Sequence, residues 1–380
     1  MKFRSWMTLF LMGFILWRLW ITIIPNVRAY IDPYYTEGIY KNLERVFNES
    51  QYRKTKDPAI IPDQTVFSYA AGAYLHGVDP ILVNSETTPL GKYAAGLFIL
   101  ILKNDKFVAL PFGFATLIIL FLLAKRILGD SSWALVPVAV VANDILFLNQ
   151  LKTAPLLDII QLPFIFLSIL LFLVEYPKRR FIATAIALGL VMATKTHFPA
   201  FLLLGSFGIF LLMQKEMPTL VRLIITLPLS LGVLALSYTR TFLNGYTLLD
   251  FLGFQKWVIL YQKSKLLYPF SVWRLIFLNQ WQTWWGNMSV IAADDWQITW
   301  AIGTGLTFLF IFLLFRRRFP ELKLPQFRES YTVWVLVWWV LVYGAFLSLG
   351  VVSSRFLLPF LPVAYILATH FIRYLFVTKI

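Results

Sequence analysis

The chain has 380 residues, of which 59% are apolar and only 14% charged, with a formal net charge of +15. Soluble domains carry about a quarter charged residues, so this composition speaks against one and for a polytopic membrane protein. The lack of cysteine excludes disulfides and thiolate metal sites but does not fix a compartment.

Ten apolar runs approach or reach the roughly 20 residues that a bilayer crossing needs. The first, residues 6–24, runs into Ile24-Pro25-Asn26-Val27-Arg28 rather than a small-residue cleavage site, which predicts a retained helix. A long polar stretch, 25–106, follows as a first exterior loop, with amphipathic helices predicted at 35–46 and 65–75. Late in it, residues 86–93 read ETTPLGKY. Here a Pro ends an extended segment and Lys92 falls near the start of a short apolar helix. The first turn carries the positive end of the helix dipole, so a cation there makes a site that attracts anions. The run 89–102 is short for a crossing and suits a re-entrant or interfacial helix. Crossings are then predicted at 107–124, 133–148, 156–173, 181–193, 198–212 and 220–237. A second exterior loop, 239–296, carries Trp257, Trp273, Trp281, Trp284, Trp285 and Trp296, either as an aromatic belt at headgroup level or as a platform for a sugar or lipid headgroup. Crossings at 299–315, 332–349 and 356–376 complete an all-α, single-domain chain over 1–380.

The charge distribution orients it. The short connections on one side hold sixteen cations against five acids, whereas 25–106 carries nine of each sign. This positive-inside bias puts the basic loops and both termini in the cytoplasm, and leaves no call for nucleic acid. A crossing at 89–102 would export Lys178, Arg179 and Arg180 with Arg316, Arg317 and Arg318, so that run is kept outside. There is no internal repeat, which weakens a repeat-built transporter.

Four polar clusters then share the outer boundary. Asp32, in YIDPYYTEG with Glu37 nearby, could act as a general base if partly buried among its tyrosines, or could simply start an Asp-Pro turn. Lys152 and Asp158, in KTAPLLD, could bind an anion or be a snorkelling Lys and a helix-starting Asp. Lys195, in ATKTHFP beside His197, needs a partner of some kind. Arg355, in SSRFLLPFLP, suits bidentate phosphate contact or interfacial anchoring. Asp144, next to Asn143 at membrane depth, reads as structural, and Asp294 and Asp295 as a solvated helix start rather than a metal pair. Asn48-Glu49-Ser50 and Asn287-Met288-Ser289 match a glycosylation pattern that is frequent by chance. Together the clusters would surround a cavity suited to an anionic lipid headgroup beside a base.

In this order the elements resemble the C-type superfamily of membrane glycosyltransferases, and within it the protein O-mannosyltransferase and aminoarabinose transferase branch. Asp32 follows the first helix, ETTPLGK stands where that pattern has HPPLGK, and KTAPLLD precedes the fourth crossing. ATKTHFP follows the fifth crossing and SSRFLLPFLP opens the last. The likeness covers 1–200 and returns at the C-terminus; 239–296 falls outside it. Pro33 replaces a frequent Glu, Thr87 the His, and Lys152 the usual Arg. The resemblance implies inverting transfer of a sugar from a polyprenyl-phosphate donor to a hydroxyl of a protein, glycan or lipid on the extracytoplasmic face of the cell membrane. It makes Asp32 the base with Glu37 as a second acid. Lys92, Lys152, Lys195 and Arg355 then hold the donor phosphate, with Glu86, Asp158 and Tyr35 in support. No metal or other cofactor is implied, because the cations take its place. The alternative is a lipid-phosphate or sugar transporter or flippase that uses the same cations without chemistry.

Overall fold

Hydrocarbon offers no partner for backbone polar groups, so the apolar runs satisfy theirs internally as helices. The computed structural model describes residues 2–152, 155–263, 268–283, 289–316, 327–350 and 352–377. Among the residues singled out above, Trp284, Trp285, Asn287, Arg317 and Arg318 lie outside these.

The helices are α1 (Lys2–Ile23), α2 (Val27–Ile31), α3 (Glu37–Asn48), α4 (Asp63–Leu75), α5 (Leu90–Leu102), α6 (Ala109–Leu128), α7 (Ser131–Asn143), α8 (Ile145–Lys152) and α9 (Leu157–Glu175). They continue with α10 (Ile182–Thr194), α11 (Phe198–Met213), α12 (Met217–Ser237), α13 (Thr239–Leu243), α14 (Leu248–Lys263) and α15 (Ser271–Leu278). After an antiparallel pair, β1 (Trp281–Gln282) and β2 (Val290–Ile291), come α16 (Ile298–Phe315), α17 (Phe327–Leu347) and α18 (Leu361–Val377). The chain is an all-α polytopic membrane protein. Among the described residues, five segments are long and apolar enough to cross a bilayer: Arg4–Ile31, Lys106–Leu128, Leu157–Lys178, Met217–Ser237 and Ile298–Phe315. Helices α5, α10, α11 and α18 are shorter apolar elements, as is the stretch Tyr331–Leu347 of α17.

The run 133–148 is not the continuous helix its composition predicts. It breaks at Asp144 into α7 and α8, bent by 61°. The Asp144 backbone is extended, and its carboxylate caps α8 by accepting from Leu146 N at 2.9 Å. It also accepts from Trp300 Nε1 at 3.0 Å, which ties the break to α16. The intramembrane acid is a structural joint. The predicted interfacial helix 65–75 also differs. As α4 it begins two residues earlier, at Asp63, and from Val66 to Tyr74 it is buried against α3 and α5.

Close approach of helices comes from small residues. A Cβ on Gly189 would stand 2.8 Å from Ser230 O, so only glycine lets α10 lie this near α12. Around this contact Phe166, Phe172, Phe207 and Phe210 fill the core, with Phe172 stacked on Phe207 at 4.0 Å.

The two ends of the bundle differ in chemistry. At one end the basic connections meet: Arg4 pairs with Asp130 at 3.2 Å, Arg179 with Glu216 at 3.3 Å, and Arg126 donates to the Tyr331 hydroxyl at 3.1 Å. Helix α5 lies at the other end. Its N-terminal side is held by Thr88 N donating to Lys195 O at 3.0 Å, just beyond α10. On its C-terminal side Tyr35 N donates to Lys103 O at 2.8 Å, and Asn104 Nδ2 donates to Asp32 O at 2.9 Å, just beyond α2. Both ends of α5 therefore sit on the same face of the bundle, and the helix runs along that face rather than through it.

Candidate functional site

The start of α5 is built around Gly91. A Cβ there would lie 2.6 Å from Thr194 O and 2.8 Å from Leu157 Cδ2, so glycine permits the loop 84–92 to dock between the ends of α10 and α9. The Thr88 hydroxyl seals this contact by donating to Met192 O at 2.8 Å. Lys92, one residue on, is fully buried. Its ammonium donates to Asn84 O at 2.7 Å and to Thr87 O at 3.0 Å. It lies 5.7 Å from the centre of the Tyr74 ring. Burial pulls its pKa down to about 7, against the opposing pull of Glu86. Lys92 thus holds the loop closed from inside.

Beside this loop four charged side chains form a chain of alternating sign. Lys195, immediately after α10, is in ion-pair contact with Asp158 in the first turn of α9. Arg355, in the 3₁₀ turn Ser354–Leu357 before α18, sits 3.8 Å from the other oxygen of Asp158 and also grips Asp63, the first residue of α4. Side-chain exposure rises along the chain from 8% at Asp158, through 22% at Arg355, to 33% at Asp63. The Asp158 end is sealed and the Asp63 end opens to solvent. Phe356 lies under both cations, its ring centre 5.5 Å from Lys195 Nζ and 5.8 Å from Arg355 Cζ.

The Arg355 segment is positioned by the aromatic second loop. Trp273 Nε1 donates to Ser348 Oγ at 2.9 Å, and Trp281 Nε1 donates to Val352 O. Asp295 accepts from Ser354 Oγ at 2.7 Å, so it too braces this turn instead of only starting a solvated helix. His197 is buried, and burial draws its pKa down to about 4, so it is neutral near pH 7.

The structure thus brings together Lys195, Asp158 and Arg355 of the residues expected from sequence, with Lys92 bound to the adjoining loop. Glu86 accepts from Asn84 Nδ2 at 2.6 Å within that loop. It does not bring in the others. Asp32 is exposed, and its carboxylate has no hydrogen bond or ion pair among the described residues. It stands past the C-terminal end of α5, roughly 15 Å along the helix axis from Lys92 at 1.5 Å per residue. Glu37 pairs with His76 at 3.0 Å and Lys41 at 3.9 Å on the surface. The Tyr35 hydroxyl donates to Ser68 O at 2.9 Å inside the α3–α4 layer. Lys152 is exposed at the end of α8 with no ion pair among the described residues. Sequence reasoning missed Asp63. Its only signal was Pro62 ahead of an acid in the first turn of a helix.

No protein-family profile and no curated protein matches the sequence. Solved structures do match in three dimensions. The crystal structure of ArnT from Cupriavidus metallidurans in the apo state aligns with a TM-score of 0.54 at 12% identity, over 82% of this chain and 55% of that one. The crystal structure of the same protein bound to undecaprenyl phosphate aligns with a TM-score of 0.52 at 11% identity, over 95% of this chain and 60% of that one. The chain shares the fold of these ArnT structures. The chain spans little more than half the length of these neighbours, and at such identity the likeness is one of fold. Within this fold, Lys195 and Arg355 occupy the bundle face that also carries α5.

Proposed function

We propose that this protein is a membrane glycosyltransferase that takes a sugar from a polyprenyl-phosphate donor and passes it, with inversion, to an acceptor hydroxyl on a protein, glycan or lipid. The observation that carries this reading is the meeting of Lys195 and Arg355 around Asp158 at the bundle end opposite the basic loops. Two cations brought together from distant parts of the chain, one of them an Arg open to solvent, form a receptor for phosphate. A structural neighbour bound to undecaprenyl phosphate supports a lipid phosphate as the occupant. In the reaction the phosphate gains negative charge as it leaves, and fixed cations that meet this charge lower the barrier. Lys92 acts one step back, by holding the loop 84–92 against α10. The acceptor proton goes to a carboxylate on the same face: Asp32 is the one the resemblance assigns, and Asp63 the one that touches the cation pair.

The positive-inside bias supports a ten-crossing chain with both termini cytoplasmic and this face outside the cell. The test is sugar transfer in membranes holding the full chain, using undecaprenyl phosphates that carry a labelled hexose, pentose or aminopentose. Release of label from one of them, reduced about 10²–10³-fold by Arg355→Ala, is the expected result. Binding of donor without any turnover would replace this reading with the transporter or flippase alternative.

A further inference from the structure

We propose that Asp63 holds the place of the donor phosphate on Arg355 and becomes the proton acceptor of the reaction once that phosphate has displaced it. The inference rests on the glycosyltransferase reading above and assigns the step that reading leaves open. Arg355 faces two carboxylates that are not equivalent. Asp158 is buried, is held by Lys195, and touches Arg355 only at 3.8 Å. Asp63 makes the direct contact with Arg355 and is the more exposed of the two. A phosphate headgroup entering from the open side of the cluster meets Asp63 first. The donor phosphodiester offers Arg355 a two-pronged contact, and its single negative charge grows as the sugar leaves, so it displaces the single carboxylate.

Displacement changes what Asp63 can do. While it grips Arg355, the Asp63 carboxylate is taken up by that contact. With Arg355 turned to phosphate, Asp63 is released from its cation and its oxygens are free to meet an acceptor hydroxyl. The base is thus released by donor binding, and it lies next to the phosphate whose bond is to break. In the step itself the acceptor O–H gives its proton to Asp63. The acceptor oxygen forms its bond to the anomeric carbon as the bond from that carbon to the phosphate oxygen breaks. The electron pair of that bond leaves on polyprenyl phosphate, held by Lys195 and Arg355. Asp32 has no charged partner among the described residues, so donor binding has no such lever on it.

The test uses the full chain in nanodiscs and measures two quantities for the native protein, Asp63→Asn, Asp63→Glu and Asp32→Asn. One is the affinity for undecaprenyl phosphate, and the other is turnover of the labelled donor found active. Asp63→Asn is expected to bind undecaprenyl phosphate at least as tightly as the native chain, because the competing carboxylate is gone. Its kcat is expected to fall by about 100-fold or more, with partial recovery in Asp63→Glu. Turnover of Asp63→Asn within threefold of native overturns the proposal. So does loss of binding together with turnover, which would make Asp63 a structural residue. Loss of turnover in Asp32→Asn with normal turnover in Asp63→Asn assigns the base to the acid after the first helix instead. If the native chain binds undecaprenyl phosphate but consumes no donor, it is the glycosyltransferase reading itself that fails.

Discussion

The Asp158–Lys195 pair gives the most direct measure of how the site is built. Side-chain exposures of 8% and 11% put both groups essentially out of water. Changing Asp158 to Asn leaves the Lys195 ammonium buried without its ion-pair partner and beside Arg355, a like charge. Removing one member of a buried ion pair costs about 3–5 kcal/mol, most of it the penalty of the charge left behind. Changing Lys195 to Met strands Asp158 less completely, because Arg355 is still 3.8 Å away, so a value near the bottom of that range is expected. The double variant, Asp158→Asn with Lys195→Met, removes both charges and should recover much of the loss. Reversible unfolding in mixed dodecyl maltoside and SDS micelles gives the three free energies and hence the coupling. The same cycle on Asp63 and Arg355, which are a third and a fifth exposed, should yield only about 1 kcal/mol. A double variant at 158 and 195 as unstable as Asp158→Asn alone would refute the argument, since the lost stability would then not come from a stranded charge.

Two further outcomes follow from the loop beside the site. Gly91→Ala must push its new Cβ against the Thr194 carbonyl, a backbone atom that cannot step aside, so a loss of about 1–3 kcal/mol is expected, with weaker undecaprenyl phosphate binding; unchanged melting and binding would contradict the packing described. Lys92 has a folded pKa of about 7, below its unfolded value of roughly 10.4. Between these values the unfolded chain holds a proton that the folded chain lacks, so stability rises with pH through this window, by up to about 1.4 kcal/mol per pH unit. Below pH 7 the penalty of burying the charged ammonium is present in full. Unfolding measured at pH 7.5 and 9.5 should show this rise in the native chain and a flatter line in Lys92→Gln; parallel slopes would mean that Lys92 stays charged.

Much of the fold was legible because the membrane enforces a simple code. Apolar runs become helices, and charges stay at their ends. The exception at Asp144 was half-visible. An acid inside a crossing announces some special role, but its partner Trp300 is 156 residues away, and nothing local says that the helix breaks there to make the contact. The site was legible to a similar degree. Lys195, Asp158 and Arg355 stand out because a charge at a helix end needs a reason. Lys92 stood out equally, yet its ammonium meets the carbonyls of Asn84 and Thr87, and the direction in which a loop turns its carbonyls leaves no trace in side-chain pattern.

Asp63 was passed over for a physical reason that bears on how such sites are read. A protein that must receive a phosphate has to keep cations in a place poorly solvated enough for them to act strongly. An unpaired cation in such a place is costly, so before the ligand arrives it takes a carboxylate from elsewhere in the chain. That carboxylate need not be near in sequence: Asp63 and Arg355 are 292 residues apart. It need not resemble a catalytic motif either, since what it requires is one negative charge at the open end of the cluster. A search for the phosphate site by cations alone therefore finds only half of it. The other half is the acid that neutralises those cations in the resting state, here Asp63 on Arg355.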